Sequence, residues 1–258
     1  MPLSRKWGTV SEIDVALARQ HMGTALADWV AFPEMLHQVH PTSWLFLSGS
    51  PFSGFNKAMV NTNDEETLSK ILQIIGEKAA LTHLFLAADG RSLVNRLPAE
   101  WKCVGRDPFM YKYLDVTDQE FDPRVSVAGI DDYEAVLTLL SDSFGVEPTR
   151  DPIIANMLSN PIAVSDIWVL KEDGQAVCTV MTCLVDDALT AWAMSTPPRL
   201  RRRGYAKALL EDVLRRSALN GATIGLLVAT EVGKKLYDAL GWTTLEEWDV
   251  YSNDVAIQ

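Results

Sequence analysis

The sequence predicts an α+β protein of two mixed α/β domains, each a central, mostly antiparallel sheet flanked by helices. Three observations predict it. Short apolar runs of strand length alternate with stretches whose apolar positions recur at helical spacing. The order of these stretches recurs later in the chain at a nearly constant separation. A polar segment without periodicity, Asp115 to Arg124 (DVTDQEFDPR), lies between the two occurrences and reads as a linker.

In the first half, Val10 to Trp29 is a helix candidate, with Val15, Ala18, Met22, Ala25, Leu26 and Trp29 among its apolar positions. From Pro41 the pattern changes. Ser43 to Leu47 (SWLFL) and Phe55 to Asn61 read as strands around a turn at Ser48 to Gly54. Asp64 opens a helix with Leu68, Ile71, Leu72 and Ile75 on its inner side, and Leu81 to Ala88 (LTHLFLAA) is a third strand. Leu93 to Glu100 is a weak helix containing Pro98, and Trp101 to Leu114 reads as a closing pair of strands.

In the second half, Val125 to Ala128 is a short strand and Asp131 to Phe144 a helix carrying Ala135, Val136, Leu139 and Leu140 inward. Gly145 to Pro152 breaks it, and Ile153 to Leu158 is a short second helix. Ile167 to Lys171, Gln175 to Leu184 and Ala188 to Ser195 form an antiparallel meander, turned at Glu172-Asp173-Gly174 and Val185-Asp186-Asp187. After Arg199 to Gly204 comes a helix with Ala206, Leu209, Leu210, Val213 and Leu214 on one face. Thr223 to Ala229 is a strand, Glu231 to Leu240 a short helix, and closing strands follow.

The centre of this half is Arg199-Leu200-Arg201-Arg202-Arg203-Gly204-Tyr205-Ala206, a basic, glycine-containing turn between a strand and a helix. Such a turn binds phosphate: free N–H groups point outward at the helix start, and the helix dipole favours an anion there. Gly204 admits a ligand close to the backbone, and Ala206 leaves the first turn uncrowded.

The spacing Arg201-x-x-Gly204-x-Ala206 resembles the pyrophosphate loop of the GNAT superfamily, the general N-acetyltransferases, usually written Q/R-x-x-G-x-G/A. A helix bearing Leu236-Tyr237 and closing on Leu240-Gly241-Trp242 looks like that family's second signature, in the right order after a helix and a strand. The resemblance implies acetyl-CoA as co-substrate and no metal. It implies a diphosphate held along Arg201 to Lys207, Tyr205 included, by the backbone N–H groups of Arg203, Gly204, Ala206 and Lys207. The side chains of Arg201, Arg202 and Arg203 add charge at the rim. It further implies that the Tyr237 hydroxyl serves the departing thiolate, since Tyr237 lies off the Val232–Leu236–Leu240 stripe and can face a cleft. Met194, Ser195 and Thr196 would form a bulge that pairs with the pantetheine arm and polarises the thioester carbonyl, with Pro197-Pro198 ending the strand.

One departure stands out. Many relatives carry a glutamate base on the fourth strand, and Ala188 to Ser195 has no carboxylate. Glu231 is the best-placed acid; its alternative role is to stabilise its own helix start beside the Thr230 cap, and a water chain is an alternative base. The acceptor would lie under Gly145 to Asp151 and the last hairpin, Thr243 to Glu247. Glu147, Asp151, Glu246 and Glu247 there hint at a cation.

The two halves align. Phe85 matches Leu226 and Trp101 matches Trp242, each at a separation of 141 (226 − 85 and 242 − 101). Phe55–Asn61 matches Leu189–Ser195 at 134, so seven residues are missing from the first copy, where the second has its arginine-rich turn. Thr62-Asn63-Asp64-Glu65 stands there with two carboxylates, and Arg96 stands in place of Tyr237. The expectation is a degenerate repeat at 1–115, a linker at 116–124 and an acetyl-CoA-binding domain at 125–258. The rival is a chance likeness of two unrelated halves.

Composition excludes other classes. With 258 residues, 48% apolar and 22% charged, the chain suits a soluble protein of two domains. A formal charge of −11 argues against nucleic acid as a partner. No apolar stretch reaches a membrane-spanning length and no leader pattern opens the chain. Three cysteines are an odd number, and Cys178 and Cys183 fall on opposite faces of one strand, so reduced thiols in the cytoplasm are expected. His21, His37, His40 and His83 form no metal set with acids or cysteines. The expected activity is acetyl transfer from acetyl-CoA to a primary amine of a small molecule or peptide, by direct attack in a ternary complex. The alternative is a non-catalytic acyl-CoA sensor or interaction module on the same scaffold. Monomer and homodimer both fit.

Overall fold

The computed structural model describes residues 13–28, 36–40, 42–144, 152–159 and 165–254. Asp14 opens the first helix, α1 (Val15–Asp28), by accepting the Leu17 N–H at 3.0 Å. The expected helix began earlier and ended one residue later; residues 10–12 and 29 lie outside the described residues. Then come β1 (Leu36–His40), a strand the sequence pattern did not announce, β2 (Ser43–Phe46) and β3 (Lys57–Val60). Asp64 caps α2 (Glu65–Glu77), and β4 (His83–Leu86) follows. The expected weak helix at 93–100 is instead a 3-10 run at Ala88–Arg96, which ends before Pro98. The expected closing pair of strands is one long strand, β5 (Lys102–Tyr113). Pro108 does not interrupt it. Its carbonyl accepts the Ala229 N–H at 2.9 Å, so its missing N–H faces the same side, past the last paired residue of the neighbouring strand.

The second half runs β6 (Val125–Val127), α3 (Tyr133–Phe144), α4 (Pro152–Ser159), β7 (Ser165–Glu172), β8 (Gln175–Val185), β9 (Ala188–Ser195), α5 (Tyr205–Leu219), β10 (Ile224–Val228), α6 (Glu231–Ala239) and β11 (Thr243–Ser252). The last is again one strand where a hairpin was expected. The connecting segment 115–124 has no helix or strand, but it is fixed to α5. Asp212, fully buried, accepts the Asp122 N–H at 2.7 Å and pairs with Arg215 and Arg216; the Arg216 guanidinium lies 4.2 Å over the Phe121 ring.

All eleven strands join one sheet, in the order β1-β2-β3-β4-β11-β5-β10-β9-β8-β7-β6. Its centre is an exchange. β4 pairs on one side with β3, in parallel, and on the other with β11 from the far end of the chain. Correspondingly, β10 pairs with β9 in parallel and with β5 from the first half. β5 and β11 pair antiparallel between them, from Thr243↔Tyr111 to Ser252↔Lys102. The two ends of that ladder are related by the same separation of 141 (243 − 102 and 252 − 111).

Alternation along the strands divides the apolar side chains by face. One face carries a single cluster spanning both halves, in which Trp44, Met59, Phe85, Phe109, Trp192 and Trp248 meet α1 and α3. The other face carries two clusters, one under α2 with Trp101, one under α5 and α6 with Trp242. Cys178 and Cys183 lie in clusters on opposite faces, and all three cysteines are free.

Trp248, 1% exposed, packs edge-on to Phe85 at 5.6 Å and tilted over Phe109 at 4.7 Å, so a side chain of the second half is seated on two strands of the first. Trp248→Ala is expected to cost about 3–5 kcal/mol. Urea melts followed by tryptophan fluorescence and far-UV circular dichroism should coincide in a single transition for parent and variant alike; two separate transitions would show that the exchanged strands do not couple the halves.

Candidate functional site

Parallel β9 and β10 are paired only from Ile224↔Ala188 to Leu227↔Ala191. Beyond that they part. The local cause lies on β9, where Met181 opposes Trp192 and Thr179 opposes Ser195, so that Ala193 and Met194 together face the single Val180. This is a β-bulge, and Ala193 within it takes a left-handed φ of 49°. Of the residues expected at a bulge, Met194 is in it and lines the cavity described below. Ser195 is back in the ladder, buried, its Oγ donating to the Ala193 carbonyl at 3.0 Å. Thr196 lies past the strand end, its hydroxyl 3.1 Å from the Cys178 sulfur. Burial holds the Cys178 thiol up at about 12, so it stays protonated and inert.

From the end of β9 a 3-10 turn, Pro198–Leu200, leads into the arginine run. Arg201 is tied down, its Nε donating to the Thr196 carbonyl at 2.9 Å, while the side chains of Arg202 and Arg203 are exposed. Arg202 has φ of 64° and Gly204 of 82°, and Gly204 is the N-cap of α5 without a side-chain acceptor for the helix amides. The left-handed turns aim successive N–H groups to one side, the concave arrangement that suits an anion. A Cβ built at Gly204 would meet nothing within 4 Å, so the space before the helix is open and the glycine is required by its φ. Tyr205 and Ala206 are half-buried and Lys207 is exposed, beside Glu211 at 3.9 Å. At the corresponding point of the first half, Asp64 accepts the Glu66 and Thr67 N–H groups at 3.2 and 3.0 Å, and α2 starts with Glu65 and Glu66. That helix start is already occupied by a carboxylate.

Tyr237 reaches the parted strands from α6. Of the expected stripe Val232–Leu236–Leu240, Leu240 is buried and Leu236 packs against the same cluster, but Val232 is 70% exposed and Tyr237 joins the inner side. The Tyr237 ring packs edge-on to Trp242 at 5.8 Å and also lines the cavity, where burial raises its pKa well above the usual tyrosine range. Glu231 is the exposed first residue of α6 and is not among the residues that line the cavity; Thr230 caps the helix by accepting the Gly233 N–H at 3.2 Å. Glu246, expected to hint at a cation, is engaged by Arg19 and by the Trp248 indole N–H at 2.6 Å. Glu247 is exposed on β11; Glu147 and Asp151 lie outside the described residues.

The gap opens into a cavity of about 230 Å³ between the halves. Trp192, Ala193, Met194, Val228 and Tyr237 form one wall, and Phe52, Phe55 and Phe85 line the other. Three polar side chains that the sequence pattern did not single out share that second wall: Lys57 on β3, His83 on β4 and Asp107 on β5. Burial lowers Lys57 to about 8, against the pull of Asp107, and raises Asp107 to about 6, against the pull of Lys57. His83 falls to about 3, by burial and by the nearby Lys57 charge. The signal that could have found them is parity: each stands two residues before a core side chain, Met59, Phe85 or Phe109, on the same face. Among the described residues no three His, Cys, Asp or Glu side chains are placed to hold a metal, and no helix is long and apolar enough to cross a membrane.

A parted parallel pair, a bulge on its first strand and an anion-ready helix start thus lie together at one end of the sheet. Residues 124–245 match the family described as Acetyltransferase (GNAT) domain. Among solved structures, the chain is similar to a GCN5-related N-acetyltransferase from Kribbella flavida, with 17% identity over 93% of this chain and 96% of that one and a TM-score of 0.63. It is also similar to a GNAT-family protein from Novosphingobium aromaticivorans (16% identity, 93% and 97% covered, TM-score 0.57) and to a GCN5-related N-acetyltransferase from Sphaerobacter thermophilus (15%, 81% and 76%, 0.57). At these identities the likeness is one of fold, and it extends over both halves. None of the curated proteins matches the chain.

Two outcomes follow from the cavity walls. His83 has a folded pKa below its unfolded value, so the stability it contributes is present above pH 6.5 and is lost as the pH falls toward about 3. Each pH unit below 6.5 should cost up to about 1.4 kcal/mol through this group. Urea midpoints between pH 7 and 5 should therefore fall less steeply in His83→Gln than in the parent. A Cβ at Gly233 would lie 3.2 Å from the Tyr237 ring and 3.3 Å from the Thr230 hydroxyl. Gly233→Ala should then displace Tyr237 by tenths of an ångström and lower turnover more than stability, read by comparing kcat with Tm.

Proposed function

We propose that the chain transfers an acetyl group from acetyl-CoA to an amine, with the coenzyme entering between β9 and β10. The observation that carries this reading is the coincidence, at one end of the parted strands, of the bulge at Ala193–Met194 and the uncapped start of α5. The N–H groups of Arg203 to Lys207 hold the diphosphate, with Arg201 fixed by Thr196 and the Arg202 and Arg203 side chains adding screened charge. Backbone groups of Trp192 to Ser195 on the parted side pair with the pantetheine arm and polarise the thioester carbonyl. The amine attacks that carbonyl directly; the protonated Cys178 supports a route without an acyl-enzyme. Tyr237 keeps its proton at neutral pH and donates a hydrogen bond to the departing sulfur.

The first half is, in this proposal, a degenerate sister of the second: a domain at 1–115, joined by a linker at 116–124 to the acetyltransferase domain at 125–258. The mirrored pairings about β5 and β11 support it, as does Asp64, which fills the helix start where a diphosphate would sit. The sister half covers the cavity and leaves the coenzyme to its partner.

Gly204→Glu forces a β-carbon into a left-handed turn and sets a carboxylate at the anion site, so calorimetry should show acetyl-CoA affinity reduced at least tenfold; undiminished binding would contradict the assignment. Tyr237→Phe should retain the coenzyme and lower kcat by about 10²-fold or more, measured as amine-dependent release of thiol from acetyl-CoA.

A further inference from the structure

The wall opposite the bulge holds groups that the acetyl-transfer reading has not used. Lys57, His83 and Asp107 come from three different strands, all of them outside the acetyltransferase domain, and all three face one cavity. The Lys57 ammonium lies over two π faces, 5.6 Å from the Phe85 ring centre and 5.3 Å from that of Trp192. Among the described residues it has no ion pair or side-chain hydrogen bond, and neither has the Asp107 carboxylate. The buried Nε2 of His83 has no hydrogen-bond partner among the described residues. A cation and an anion that share an apolar cavity without touching are costly. Their separation is reasonable if each serves a different group of one ligand. Around them the walls are aromatic: Phe52 and Phe55 come from a loop fixed by Asn56, which accepts from the Ser48 N–H at 2.9 Å and donates to the Ser50 and Leu81 carbonyls at 3.0 and 2.8 Å. A volume of about 230 Å³ admits a molecule the size of several waters, each about 30 Å³, and no folded partner.

We propose that this wall is the acceptor site and that it takes a small amine that also bears an acid group on an apolar body, an aromatic amino acid being the simplest case. Lys57 holds the acid, Asp107 takes the ammonium, and the phenylalanine rings enclose the side chain. The inference rests on the acetyl-transfer reading of the same cavity. The ammonium gives one proton to Asp107, which passes it to solvent. The neutral nitrogen then forms the N–C bond as the C–S bond breaks, and its second proton ends on the coenzyme's sulfur. Products are the N-acetyl amino acid, free coenzyme thiol and one proton.

Thiol release by the full chain at saturating acetyl-CoA would be compared for L-phenylalanine, phenylalaninamide and phenylethylamine. The expected kcat/KM for phenylalanine is at least tenfold above that of either acceptor lacking the acid. Lys57→Met should bring that ratio close to one, and Asp107→Asn should lower kcat for all three acceptors. Both variants should still take up coenzyme A in calorimetry, which separates a folding failure from a lost acceptor group. Equal rates for the acid and its decarboxylated analogue, no release with L-phenylalanine in a protein that binds acetyl-CoA, or an intact-mass gain of one acetyl group that Lys57→Met abolishes would each overturn the proposal. If the coenzyme itself fails to bind, the acetyl-transfer reading falls. Saturable phenylalanine binding to the parent and not to Lys57→Met, by calorimetry without coenzyme, would then sustain the acceptor site, and its absence would remove that too.

Discussion

The antiparallel ladder of β5 and β11 is the constraint on which the rest of the molecule depends. β10 needs a hydrogen-bonded neighbour on the side away from β9, because a strand edge inside a protein leaves its N–H and C=O groups unpaired. β5 supplies that neighbour from the other half of the chain, and β11 returns the same service to β4. With its outer side held, β10 can part from β9 on the inner side without losing its place in the sheet. The exchange also brings β3, β4 and β5 to face β9 across one cavity, so each wall comes from a different half.

A division of labour results. The second half offers mainly backbone groups, namely bulge amides and a helix start opened by left-handed turns at Arg202 and Gly204, together with the hydroxyl of Tyr237. The first half offers ionisable side chains in an apolar setting, where burial pulls Lys57 and Asp107 toward neutrality from opposite directions. Backbone groups suit a coenzyme whose diphosphate and amide arm recur in every turnover. Side chains suit a substrate that must be told apart from its neighbours. That absence of a strand carboxylate on β9, where a base would be sought, is thus compatible with an acid on β5 at the opposite wall.

Much of this could be read from the sequence because the local signals were strong. The spacing of Leu209, Leu210, Val213 and Leu214 gave α5 its buried face, and Gly204 after three arginines marked its start. Pairing between distant strands leaves no such local trace. The closing segments at 102–113 and 243–252 are expected as strand pairs; in the structure each is one strand whose two neighbours both come from the other half. β1 was missed because Leu36–His40 is too polar to stand out. Tyr237 lies on α6 as expected, but it joins Leu236 and Leu240 on the inner side while Val232 is exposed. Lys57, His83 and Asp107 belong to no motif that would single them out in the sequence. Only their parity with Met59, Phe85 and Phe109 places them inside.

The central claim is that a coenzyme lies along the parted strands with its diphosphate at the start of α5. Backbone hydrogen–deuterium exchange of the full chain, with and without coenzyme A, tests it most directly. The account predicts slowed exchange confined to two stretches, residues 192–196 and 203–207, with the start of α2 at residues 65–67 unchanged. Slowed exchange at the start of α2, or none at 203–207 under saturating coenzyme, would contradict it.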